Sequence, residues 1–140
     1  MDHEAPMEFW RGVDQFNQGE FYACHDTLEE IWLTAMEPQK TFYQGILQIA
    51  VALYHLTNHN WRGSVTLLGD GLRRLRRYEP DYMDVDVARL VYQSQALLLR
   101  LQETEPEAIA SLAEAMMHST DTPIADTPTL QRPTVERLTN

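Results

Sequence analysis

The sequence predicts an all-α protein: a compact bundle of about five antiparallel helices, then a short extra C-terminal helix and a mobile tail. Three observations carry this expectation. Apolar residues recur at three- and four-residue spacing over most of the first 118 positions, and no stretch alternates polar and apolar residues long enough to form a strand. Glycine, proline and aspartate punctuation cuts the chain into helix-length pieces joined by links of a few residues, which makes consecutive helices antiparallel neighbours.

Each element follows from its own punctuation. A first helix is expected from about Pro6 to Gln18, because proline suits a first helical position and Gly19 makes a natural stop. A second runs from about Glu20 to Met36. Pro38 opens a third that continues to about Asn58, and a fourth runs from about Trp61 to Tyr78, stopping before Pro80. Asp84 or Asp86 caps a fifth, which ends near Glu103. Pro106 starts a short sixth helix to about Met117, in which Ile109, Leu112, Ala113 and Met116 share one face. Residues 1–118 are therefore read as a single helical-bundle domain. Residues 119–140 hold three prolines and six threonines with little to bury, and read as a flexible tail. No internal repeat supports a helical solenoid.

Composition narrows the function classes. A chain of 140 residues is about one domain, and its single cysteine, Cys24, forbids an intramolecular disulfide. The net charge of −10 argues against nucleic acid and acidic membranes as partners, since neutralising phosphates takes a surplus of lysine and arginine. The charge is uneven: −7 over residues 1–61, +2 over 62–100 and −5 over 101–140, so oppositely charged regions could bind each other within or between chains. MDHEAPMEFW lacks the basic and apolar regions of a secretory signal, and the uncharged stretch from Thr41 to Trp61 is broken by Gln44, Gln48, His55, Asn58, His59 and Asn60. The expectation is a soluble cytoplasmic protein with Cys24 reduced.

One polar constellation stands out on otherwise apolar helices. With the second helix on a wheel of about 100° per residue, His25 lies inside the arc of Phe21, Leu28, Trp32, Ala35 and Met36, and Glu29 sits about 40° away on its shoulder. Asp26 and Glu30 point to the opposite side. On the third helix Gln44, Gln48 and His55 form a narrow polar stripe, so adjacent antiparallel helices would bring His25 and Glu29 against Gln48 and His55, with Tyr22, Tyr43 or Tyr54 at the margin. Three readings stay open for this buried cluster. It is a satisfied hydrogen-bond network that fixes helix register. It is a metal site, with His25, Glu29 and His55 holding a divalent ion such as Zn²⁺. Or it is a small-ligand pocket in which the imidazoles and Glu29 bind or protonate a polar molecule.

The remaining candidates have plainer explanations. Cys24 has no basic neighbour in sequence and reads as an inert buried thiol. Gly63, Gly69 and Gly71 interrupt a helical pattern, which suggests close approach by a neighbouring helix. Arg73, Arg74, Arg76 and Arg77, read around Leu75 as RRLRR, favour the C-terminal end of a helix dipole, and also offer a patch for an anion or an acidic partner. His3, His59 and His118 sit at helix ends or termini and read as solvent-exposed.

The stretches FNQGEFYACHDTLEEIW and FYQGILQIAVALYHLTNHNWRGSVTLLGDGLRRLRRY, followed by DVDVARL, resemble the bacterial and archaeal domain-of-unknown-function family numbered 309. The resemblance covers about residues 13–92. Its pattern falls on Phe16, Phe21, His25, Glu29, Trp32, Gly45, Gln48, His55, Gly63 and Leu68, with Asp26 where the familiar form has glutamate. It implies a small helical bundle without an established activity. The function expected is a binding or interaction module built around His25, Glu29, Gln48 and His55, with an unidentified protein or small molecule as partner and no nucleic acid or membrane. The alternative is a small metal-dependent or acid/base enzyme, hydrolase-like, using His25, Glu29 and His55. A third reading makes the RRLRR segment and the acidic first helices the partner-facing elements. Self-association is compatible with a chain this short, because some apolar helix surface can stay uncovered.

Overall fold

Phe9, Val13 and Phe16 recur at helical spacing and are buried, and they define the inner face of α1 (Met7–Asn17). The helix starts directly after Pro6 and gives way at Gly19, whose φ of +83° is strained for any residue with a side chain. The computed structural model describes residues 5–118 and 130–138, and over these the chain is an all-α bundle. α2 (Phe21–Thr34) buries Phe21, Cys24, Thr27 and Leu28. It stops two residues short of the expected end: Ala35 is already extended, and Met36 is left outside the helix and exposed.

α3 (Gln39–Thr57) is the central helix. Its start is held by Glu37, whose carboxylate accepts hydrogen bonds from the Thr41 amide at 2.8 Å and the Thr41 hydroxyl at 2.6 Å; these bonds hold the carboxyl below the usual carboxylate range. α3 buries Phe42, Ile46, Ile49, Leu53 and Leu56. α4 (Trp61–Leu75) begins at Asn60, whose side-chain oxygen accepts from the Gly63 amide at 2.9 Å, and it tightens into a 3₁₀ turn over Arg76–Tyr78. α5 (Val87–Gln102) is capped by Asp86, which accepts from the Arg89 amide at 3.0 Å. A 3₁₀ turn at Pro106–Ala108 leads into α6 (Ile109–Met117). Successive helices pack on one another from α1 to α5 through short links, and α6 returns onto α3.

α3 and α4 approach each other closely. A Cβ at Gly71 would lie 2.7 Å from Ile49 Cδ1 and 2.9 Å from the Gly45 carbonyl oxygen, and a Cβ at Gly45 would lie 2.8 Å from Leu75. Gly63 likewise leaves the space that the His55 ring fills, whereas Gly69 has open space around it, contrary to the close packing expected of all three α4 glycines.

Two further features depart from expectation. A short antiparallel hairpin, β1 (Asp81–Tyr82) and β2 (Val85–Asp86), joins α4 to α5, its turn made by Met83 and Asp84 at positive φ. Residues 130–138, placed in the expected mobile tail, lie as an extended strap against the bundle with Leu130 and Val135 buried. The strap is tied by long-range bonds. Asn17 donates to the Val135 carbonyl at 2.9 Å and accepts from the Val135 amide at 2.8 Å, and Gln93 accepts from the Thr134 amide at 3.1 Å. Arg132 donates to the Asn17 and Met117 carbonyls at 2.8 and 2.9 Å, and Arg137 lies over the Trp10 ring. The rest of the expected tail, 119–129 and 139–140, lies outside the described residues.

Candidate functional site

The expected constellation gathers on the α2–α3 face, but as a surface feature. From α2 come Tyr22, His25, Asp26, Glu29 and Trp32, and from α3 come Gln44, Gln48, Val51, Tyr54 and His55. The side chains of His25 and Glu29 are 27% and 49% exposed, so the cluster is not the buried network the helical wheels suggested. A wheel gives a residue's direction from its own axis. It does not show whether another helix covers that direction, and here the face between α2 and α3 stays open.

The polar residues divide between two neighbouring grooves. The first, about 170 Å³, is lined by Phe21, Tyr22, His25, Val51, Tyr54 and His55. Its rings form a row: His25 to Tyr22 with centroids 6.0 Å apart, Tyr22 to Tyr54 edge-on at 5.3 Å, and Tyr54 to His55 at 6.2 Å. Tyr43, the other tyrosine expected at the margin, packs instead against Phe9 and Phe42 in the core. The second groove, about 250 Å³, is lined by Glu29, Trp32, Gln44, Leu47, Gln48, Val51 and Leu67. Val51 belongs to both, so they are contiguous.

Local polar contacts orient these side chains. His25 Nδ1 lies 3.2 Å from Asp26 Oδ1 and its Nε2 lies 3.8 Å from Glu29 Oε2, so Asp26, read from the wheel as pointing away, faces the imidazole. Asn60 Nδ2 lies 3.3 Å from His55 Nδ1, which directs His55 toward the loop that opens α4. Lys40 sits 4.4 Å over the Trp32 ring. The expected metal set of His25, Glu29 and His55 does not assemble: among the described residues no three His, Cys, Asp or Glu side chains group so as to hold an ion.

The RRLRR segment fans out. Arg73 pairs with Asp70 at 3.1 Å, Arg76 donates to Gln95 on α5, and the positive charge of Arg77 acts on Glu37. Arg74 reaches back to α3, where its Nη1 donates to Gln48 Oε1 at 3.1 Å. Arg74 is therefore a site residue that sequence reasoning placed elsewhere; the contact spans 26 positions, and no local pattern signals it.

Cys24 is buried, and burial pushes its thiol pKa up to about 12. It lines neither of the two α2–α3 grooves, and its burial is not a nucleophile's environment. At pH 8 a maleimide should leave Cys24 unmodified in the folded protein and label it fully in denaturant, followed by mass spectrometry; rapid labelling of the native protein would contradict the buried placement.

Residues 9–67 match the family model described as Domain of unknown function (DUF309). The match includes His25, Glu29, Gln48 and His55 and ends within α4, short of the 13–92 span the resemblance suggested. The chain is similar to the uncharacterized protein YpuF of Bacillus subtilis (strain 168), with 34% identity over 58 residues, 41% of this chain and 33% of that protein. The chain thus spans about a third of the length of the curated relative it matches. No solved structure matches it. Among the described residues no helix is long and apolar enough to cross a membrane.

Proposed function

We propose that this domain is a binding module whose ligand lies along the two contiguous α2–α3 grooves. The observation that carries this reading is their shared wall at Val51, with aromatic rings on one side and Glu29, Gln44 and Gln48 on the other. Such a surface suits an amphipathic small molecule or peptide side chain. An aromatic body would lie against the exposed sides of the Tyr22 and Tyr54 rings, and a cationic or hydrogen-bond-donating head would meet Glu29 and Gln44, the Gln48 oxygen being held by Arg74. A purely structural network fits less well, because His25 and Glu29 are partly solvated and the burial that would demand such a network is missing. The setting we infer is cytoplasmic, in keeping with a lone, reduced cysteine.

The test is an NMR titration with 2-phenylethylamine and, in parallel, the neutral 2-phenylethanol. The amine is expected to shift the Val51 methyls, the Tyr54 ring and the Trp32 indole saturably, with a Kd of about 1 mM, as suits a fragment of this size. Glu29→Gln should weaken the amine by about fivefold and leave the alcohol unchanged, since an exposed charge pair is worth up to about 1 kcal/mol. Absence of shifts at these residues with both probes would sink the reading.

A second reading rests on the two imidazoles lining one groove. His25, with Glu29 beside it, and His55 would act as base and acid on a bound molecule, without metal. Hydrolysis of a chromogenic ester that is lost in both His25→Gln and His55→Gln would favour it over binding alone.

A further inference from the structure

The outward face of α5 carries the wrong residues for a solvent-facing helix. Taking Tyr92 as zero at about 100° per residue, Leu99, Ala88 and Ala96 fall within about 40° of it, and the buried Leu90, Ser94, Leu97 and Leu101 lie on the opposite side. Tyr92 is 59% exposed and Leu99 51%, where charges would be expected. The four residues of this ridge form one wall of a depression of about 510 Å³ between α5 and the 3₁₀ turn after α4, which Arg76, Glu79, Val91 and Gln95 complete.

We propose that this face is the contact between two copies of the chain, with their α5 helices packed antiparallel about a twofold axis. The register is set by the sequence. An axis crossing α5 between Gln95 and Ala96 places Tyr92 of one copy against Leu99 of the other, and small Ala88 and Ala96 let the helices approach closely. It also brings Arg89 within one residue of Glu103 of the second copy, and both lie on the same edge of the apolar ridge. The arrangement is self-complementary: Tyr92 meets Leu99 on either side of the small central Ala96, and Arg89 meets Glu103 at both ends. Counting its caps Asp86 and Glu103, α5 balances two acids against two bases, so the contact uses a nearly neutral part of a chain that carries −10 overall.

The experiment is sedimentation equilibrium of the full chain over a concentration series. The wild type is expected to dimerise reversibly. Leu99→Glu, at an exposed site where folding should be unaffected, is expected to raise the dimer Kd roughly tenfold or more. Arg89→Glu and Glu103→Arg should each weaken the dimer, and the double variant R89E/E103R should recover most of the wild-type affinity. Three results would overturn the proposal: a wild type monomeric at all concentrations, a dimer indifferent to Leu99→Glu, or charge variants whose effects simply add. Binding of a different, acidic chain by a monomeric wild type would count among these, because it assigns the face to another occupant.

Discussion

Gly71→Val is expected to destabilise the fold by about 3 kcal/mol and to lower Tm by roughly 6–12 °C for a domain of this size. The added Cβ would stand 2.9 Å from the Gly45 carbonyl oxygen, a backbone atom inside the central helix, and 2.7 Å from Ile49 Cδ1. Ile49 could change rotamer; the carbonyl can move only with α3, so relief requires the helices to separate. Separation costs twice, because α3 and α4 share the burial of Ile49, Leu68, Leu72 and Leu75. Gly69→Ala is the control. Nothing lies within 4 Å of a Cβ at that position, so the better helix former should stabilise by up to about 1 kcal/mol. Thermal melts of the pair decide the matter. If both substitutions stabilise, the helices do not approach as closely at Gly71 as the structure has them.

The contrast between these glycines also shows what a sequence carries. Periodicity and caps locate the six α-helices of the described residues, because those signals act within a turn or two of the chain: Pro6 and Gly19 frame α1, and Asp86 caps α5. Which glycine meets a neighbour depends on where α3 passes, and nothing within α4 encodes that. The hairpin at 81–86 escaped notice for a related reason. Strands of two residues cannot show alternation, and Met83 and Asp84 take positive φ without the Asn-Gly or Asp-Gly pair that advertises such a turn.

The site was legible in membership more than in character. His25, Glu29, Gln48 and His55 do share the α2–α3 face, as their angles on two helical wheels implied. They are less buried than the wheels imply, because apolar neighbours such as Phe21 and Leu28 point inward while the α2–α3 face beside them stays open. The division into two grooves depends on height along the helices: His25 and His55 fall at one level, Glu29 and Gln48 at the next. Arg74 was missed because its guanidinium crosses from α4 to Gln48.

Asn17→Ala is expected to detach the strap at 130–138 and to lower stability by about 2–4 kcal/mol, since it leaves both the Val135 amide and carbonyl without their partner. Asn17 is the dock in a further sense: its own backbone carbonyl accepts from Arg132. Composition hid this. Threonine and proline around Leu130 and Val135 look like a tail, yet two apolar anchors suffice when side chains of α1 and α5 satisfy the strap's backbone. The loss has a ceiling, because once the strap is free no further penalty accrues and α3 and α4 keep their mutual packing. Hydrogen exchange separates the two levels. In Asn17→Ala the amides of Thr134, Val135 and Asp86 should exchange much faster, while those of Ile49 and Leu53 stay protected. The effect should also reach the α2–α3 grooves. The Arg132 guanidinium lies 6.0 Å from the ring centre of Phe21, which lines the same groove as His25 and His55. Release of the strap should therefore shift the Phe21 ring resonances and weaken 2-phenylethylamine binding without any change to a groove residue. If Val135 stays protected in Asn17→Ala, the strap is held by Leu130 and Arg132, and the dock is not Asn17.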